Sequence, residues 1–269
     1  MRIVSLDHLT VFEATPPEVV RIASDSGYTH VGLRLKPAAA TGEDQHPILG
    51  DTPMRRETLA VLRDTGITVL DWGVLRLKAE TKVADFEPWF ETAVAIGSHN
   101  ALVNGDEPDD AKLADLFGEL CQLGQRYEMN FHFEPTPWTG LKTLAQAVRV
   151  VRAAGQPNGK VMIDTLHVDR VVNTAADIAA VPADLVTCVQ LCDGYMPRPT
   201  DFDTMIFQAR GERAFPGEGG IDLVSMLRAL PTDLPISLEC PTKYRALGVS
   251  ALERAKRGRA SVDALLAML

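Results

Sequence analysis

Four polar residues close four short apolar runs: Glu134 in FHFEP, Asp164 in VMIDTLH, Gln190 in CVQLCD and Glu239 in ISLECP. A charge at the end of a buried run is costly unless it is paired or bound to a metal. Three carboxylates converging on one place repel one another, and a divalent cation is the simplest relief. Three carboxylates and one amide make an oxygen-rich set, which favours one hard ion, Mn²⁺ or Mg²⁺, over zinc. A lone glutamate at a strand end would serve as a helix cap or salt-bridge partner. Four such residues on successive units point instead to a shared site. Gln190 is the member most easily explained otherwise, by a hydrogen bond inside the sheet.

Each run is followed by a helical pattern, and the alternation extends along the chain. Strands are expected at Ile3 to Leu9, His30 to Leu35, from Ile67 to Leu70, Ala101 to Asn104, Asn130 to Glu134, Val161 to Asp164, Val186 to Gln190 and Ile236 to Glu239. Helices are expected from Pro16 to Gly27, Pro53 to Gly66, Phe86 to Gly97, Asp109 to Tyr127, Leu141 to Ala154, near Thr174 to Ala180, and from about Ser250. Eight such units predict a parallel sheet closed into one (β/α)8 TIM barrel over residues 1–269, its site at the carboxyl ends of the strands. An open doubly wound sheet would show a Gly-rich turn after its first strand, and DHLTVFEATPP is not one. Two longer loops are expected, Lys36 to Thr52 and Asp193 to Gly220. The second, with Pro197, Pro199 and Pro216 for stiffness and Gly211, Gly217, Gly219 and Gly220 as hinges, reads as a lid.

Strand alternation places His132 with Glu134, Met162 with Asp164, Cys188 with Gln190, and Ser237 with Glu239 on the inward face. His132, one layer below Glu134, is a candidate for holding a ligand in place. Arg213 before PGEGG is placed to clamp a carbonyl, hydroxyl or phosphate. Arg34 in VGLRL faces inward if Gly32 does. Trp72, Phe12 and Trp138 follow strand ends and are candidate walls of a substrate site, while Asp7 and His8 are candidate lining.

These residues resemble the xylose-isomerase-like barrels, a family of sugar-phosphate isomerases, ketose 3-epimerases, hydroxypyruvate isomerase, inosose dehydratase and endonuclease IV. Its pattern of Glu on strand five, Asp-x-x-His on strand six, His or Gln on strand seven and Glu on strand eight falls on Glu134, Asp164 to His167, Gln190 and Glu239. The segment Arg213 to Gly219 resembles its R-x-x-P-G-x-G loop, and Gln190 stands where epimerases carry His. The resemblance implies a metal-dependent isomerase or epimerase of a small polyhydroxy carbonyl compound, working through a metal-stabilised enediolate. Glu134 and Glu239 would be both ligands and proton-transfer groups, and His167 and Arg213 would orient the substrate. The alternative is a dehydratase in which the same enediolate expels a β-hydroxyl. The resemblance also implies pairing of copies through outer helices.

Composition narrows these classes. The 269 residues are 46% hydrophobic, enough for one large core, and the net charge of −9 argues against nucleic-acid and anionic-membrane surfaces. With only six histidines as well, a phosphodiesterase like endonuclease IV is disfavoured. A non-catalytic barrel is the remaining alternative, separable by metal content. The four cysteines, Cys121, Cys188, Cys192 and Cys240, form no CxxC pair and read as reduced core residues. Together with the start MRIVSLDHL, which lacks the pattern of a signal peptide, they lead to an expectation of a cytoplasmic protein.

Overall fold

The computed structural model describes residues 2–35 and 46–269; the expected loop from Lys36 to Thr52 thus lies largely outside the described residues. Nine strands form one sheet: β1 (Val4–Asp7), β2 (His30–Arg34), β3 (Thr68–Leu77), β4 (Asn100–Gly105), β5 (Asn130–Glu134), β6 (Gly159–Val161), β7 (Ile163–Asp164), β8 (Val189–Leu191) and β9 (Ile236–Leu238). Every pairing is parallel, in the order β6-β5-β4-β3-β2-β1-β9-β8-β7. The two terminal strands of that list are one strand interrupted at Met162, whose N–H is donated to Phe133 O at 3.0 Å. The sheet therefore meets itself, and the expected single TIM barrel is what the chain forms.

Ten helices are described: α1 (Pro16–Asp25), α2 (Pro53–Thr65), α3 (Glu87–Ala95), α4 (Asp110–Gln125), α5 (Leu144–Ala154), α6 (Thr165–Arg170), α7 (Ala175–Ala179), α8 (Phe202–Gly211), α9 (Leu223–Arg228) and α10 (Ala251–Leu266). Their starts follow capping chemistry. Thr52, Asp109, Thr143 and Ser250 each accept a backbone N–H of the first turn, and Gly66 and Gly155 end α2 and α5 in the left-handed region. None of the described helices is long and apolar enough to cross a membrane.

Alternation along the strands separates two cores. Outward residues such as Leu6, Val31, Phe131, Phe133, Ile163, Leu191 and Leu238 pack beneath the helices in one large cluster. Inside the barrel the apolar cluster is small, Leu102, Met162 and Cys188 with Val74 against them. Most other inward positions are polar and buried: Ser5, Asp7, His132, Glu134, Asp164, Gln190, Ser237 and Glu239. A barrel interior this polar must satisfy its groups internally or hold ions and ligands.

Three local differences from the expectation matter. Strand β3 runs for ten residues, through DWGVLRL, rather than stopping soon after Leu70. A helix, α6, follows Asp164 at once. The expected irregular stretch 193–220 contains α8. Its glycines are not all loose: Gly217 and Gly219 donate their N–H groups to Asp193 Oδ2 at 3.0 and 3.1 Å, which ties down the PGEGG turn.

Candidate active site

The carboxyl ends of the strands open into a cleft. Its acidic floor comes from Glu134 and Glu239, its apolar wall from Val74, Leu102 and Trp138, and its basic side from Arg34, Arg76, Arg210 and Arg213, with His167 and Asn104 between.

Glu134 ends β5 beside Asn104 of β4, its partner in the strand register. Asn104 Nδ2 donates to Glu134 Oε2 at 2.7 Å, whereas Oε1 is buried with no hydrogen-bond partner among the described residues. Burial, Asp164 and Glu239 all push the Glu134 carboxyl well above the usual carboxylate range. Asp164 ends β7 and caps α6: its Oδ1 accepts the N–H groups of Leu166 and His167 at 2.8 and 3.1 Å. That cap fixes the first turn of α6 and so aims His167 back over the site. His167 Nε2 lies 3.9 Å from Glu134 Oε1 and 4.0 Å from Asp164 Oδ2, and the Trp138 ring meets the imidazole edge-on at 5.1 Å. Burial lowers His167 to about 4, so it is neutral at neutral pH.

Arg213 is the internal cation. Its Nη1 sits 2.7 Å from Asp164 Oδ2 and 3.2 Å from Glu239 Oε2, and its Nε donates to Ala209 O at 2.8 Å. Burial alone would raise Asp164, but the Arg213 guanidinium, His167 and the hydrogen bonds to both together hold that carboxyl below its ordinary value. Glu239 remains raised, to about 8, because burial with Asp7 and Asp164 exceeds the pull of Arg213.

A second acidic pair lies in the same end of the barrel. Asp7, Gly32 and Asp71 are register neighbours on β1, β2 and β3. Gly32 has no side chain, and both carboxylates lean into the space: a Cβ there would meet Asp71 Oδ1 at 2.5 Å and Asp7 Oδ2 at 2.8 Å. Burial and like charge raise both to about 7.

The residues fit a divalent cation. Ligand atoms of Glu134, Asp164 and His167 lie within 4.8 Å of one another, and Glu134 Oε1 and Gln190 Oε1 are buried acceptors without partners. His167, expected only as a substrate contact, thus belongs to the candidate ligand group, while Glu239 and Asp164 are bridged by Arg213. The structure brings together Glu134, Asp164, His167, Arg213 and Glu239, with Arg34 at the cleft edge.

Two expected substrate contacts lie elsewhere. His132 is inside the barrel below the cleft, bonded to Thr187 Oγ1 at 3.0 Å and Cys188 Sγ at 3.3 Å. Trp72 faces outward, packed edge-on against Phe90, because Asp71 takes the inward position. Of the three expected aromatic walls only Trp138 lines the cleft. Sequence reasoning missed Asn104, Asp71, Arg76 and Arg210. The first was legible as a polar end to the ALVN run of β4; the arginines had no local signal.

Comparison with known proteins bears on the fold and the family. Over 227 residues the chain is 26% identical to a 3-dehydroshikimate dehydratase of Pseudomonas aeruginosa, covering 77% of this chain but only 35% of that protein. Among solved structures, a xylose isomerase-like TIM barrel/4-hydroxyphenylpyruvate dioxygenase fusion protein superposes with TM-score 0.79 at 20% identity, covering 97% of this chain and 42% of that one. The IolI protein with a bound zinc atom superposes with TM-score 0.79 at 16% identity over 100% of this chain and 99% of that one. The chain spans about a third of the curated relative and under half of the fusion protein. Residues 20–267, which contain every strand-end residue of the cleft except those of β1, match the family model itself: the chain belongs to the xylose isomerase-like TIM barrel family.

Proposed function

We propose that the chain is a metal-dependent lyase that dehydrates a small hydroxy-ketone, with 3-dehydroshikimate the first substrate to try. The observation that carries this reading is the inequality of the two cleft glutamates. Among the described residues, Glu134 keeps one buried oxygen without a hydrogen-bond partner, whereas Glu239 is held by Arg213. Epimerisation calls for a proton-transfer group on each face of the carbon; elimination of water can proceed with one. The 26% identity to a 3-dehydroshikimate dehydratase supports the same choice.

Glu134, Asp164, Gln190 and Glu239, with His167 beside them, would hold the cation. When bound, it supplies positive charge next to the substrate carbonyl and makes the neighbouring C–H more acidic. The Glu134 carboxylate removes that proton, with Asn104 Nδ2 holding its Oε2. Protonated by that step, Glu134 is then the acid for the departing hydroxyl. The C–H proton leaves with that hydroxyl as water, and the C–H electron pair becomes the new double bond. His167, held by Trp138 and by the Asp164 cap, orients the hydroxyl.

Loss of water from 3-dehydroshikimate gives an aromatic dihydroxybenzoate, so the reaction is followed by absorbance with Mn²⁺, Mg²⁺ or Zn²⁺ supplied in turn. Formation of that product supports the lyase. The second reading, an isomerase or epimerase, is favoured by Glu134 and Glu239 lining one cleft. Deuterium entering a ketose from D₂O at the epimerised carbon, with no water lost and no aromatic product, would establish it and displace the first.

A further inference from the structure

Four guanidiniums line the cleft, and two of them are engaged within the protein. Arg213 bridges Asp164 and Glu239. Arg34 answers the charges of Asp7, Asp71 and Glu239. Arg76, near the end of β3, and Arg210, in the last turn of α8, are different. Among the described residues neither has an ion pair or a side-chain hydrogen bond, though both are only partly exposed. Many outlying arginines do have an acidic partner: Arg21 with Glu57, Arg149 with Asp110, Arg152 with Asp184. Arg76 and Arg210 instead line the same cleft, and burial together with the charge of Arg76 holds Arg210 below its ordinary value. Two like charges brought together from separate elements are unfavourable unless something anionic joins them.

The placement of Arg210 is also held from outside the cleft. Arg198 makes two hydrogen bonds to Asp169, at 2.9 and 2.8 Å, and Arg170 reaches Gln208 Oε1 at 3.0 Å, fixing α8 over the strand ends. Val74, Leu102 and Trp138 make an apolar wall in the same cleft.

We propose that Arg76 and Arg210 form an oxyanion clamp, so that the substrate carries a carboxylate or phosphate group as well as its hydroxy-ketone. This rests on the reading of the cleft as the active site. Guanidinium forks match both anions, through paired N–H donors. The apolar wall takes the carbon frame between the anion and Glu134. A neutral sugar has no use for such a clamp.

The test is binding of unreactive probes to the metal-loaded protein, measured by titration calorimetry: benzoate, its neutral amide benzamide, and phenyl phosphate. At least one anion is expected to bind at least about tenfold more tightly than benzamide, the scale of a charge-assisted hydrogen bond. Arg76→Gln and Arg210→Gln should each weaken that anion by roughly tenfold to a hundredfold and leave benzamide unchanged. Arg76→Lys and Arg210→Lys should retain part of the affinity, which separates a lost contact from a misfolded chain. Preference for benzoate over phenyl phosphate assigns a carboxylate, the reverse a phosphate. Equal affinity for anion and amide in the wild type, or undiminished anion binding in both Gln variants, overturns the clamp. Because no turnover is read, clamped anions with no dehydration of 3-dehydroshikimate would overturn the lyase reading alone.

Discussion

At the scale of single residues, the site is a problem of charge. Arg213 is buried between Asp164 and Glu239, and its removal would leave two carboxylates facing each other without a counter-charge. Breaking a buried pair in this way typically costs about 3–5 kcal/mol. Arg213→Gln is therefore expected to lower the unfolding free energy of the metal-free protein by an amount of that order, and added Mn²⁺ should recover part of it. Urea unfolding with and without metal reads both; a variant as stable as the parent would show that Arg213 is not the internal counter-ion. Glu134→Gln is the complementary change. A general base contributes about 10² to 10⁴ in rate, so turnover should fall by that factor. The amide keeps an oxygen for coordination, and metal content measured on the purified variant should change little. Glu134, Asp164, Gln190 and Glu239 were legible in the sequence because a polar residue at the end of an apolar run is conspicuous. Arg76 and Arg210 were not, since an arginine on a strand or a helix has the same local sequence whether it meets solvent or a cleft.

At the scale of elements, irregular register decides what reaches the cleft. The β2–β3 pairing shifts between Val31 and Gly32, and the β3–β4 pairing between Trp72 and Leu75. Those shifts turn Asp71 in and Trp72 out, an outcome that simple period-two alternation cannot supply. The strands without such shifts, β5, β8 and β9, are the ones whose inward residues were read correctly from sequence. Gly32 tests the arrangement directly. Gly32→Ala would put a Cβ 2.5 Å from Asp71 Oδ1, so the carboxylates must separate. Overpacking of this kind costs about 1–3 kcal/mol. A loss in thermal stability is expected, smaller when Asp71→Asn removes the like charge in the same chain; additive effects of the two changes would argue against direct contact. Helix α8 gives a second test. Asp169→Asn weakens the hold on Arg198 and Arg170, and backbone exchange over residues 195–211 should quicken while that of β5 stays unchanged. Equal exchange in both proteins would show that α8 is held by its other contacts.

At the scale of the whole molecule, the acidic barrel end sets how stability responds to pH. Asp7 and Asp71 are raised from 3.8 to about 7, and Glu239 from 4.5 to about 8. Between those limits the folded, metal-free protein binds more protons than the unfolded chain. The stability these groups contribute is complete below about pH 4 and is lost as pH rises through 7 to 8. Asp164 works the other way, but only at lower pH, because Arg213 holds it below 3.8. The melting temperature of the metal-free protein should therefore fall as pH is raised from about 5 to above 8. A divalent cation bound by deprotonated carboxylates competes with those protons and stabilises only the folded state. Its effect should grow over the same interval, so that Mn²⁺ raises the melting temperature more at the alkaline end than at the acidic end. Scanning calorimetry at several pH values, with and without Mn²⁺, measures both trends. A metal-free melting temperature that is flat across the interval would mean that the barrel interior hydrates its carboxylates, and a pH-independent metal effect would place the ion away from Glu239 and Glu134.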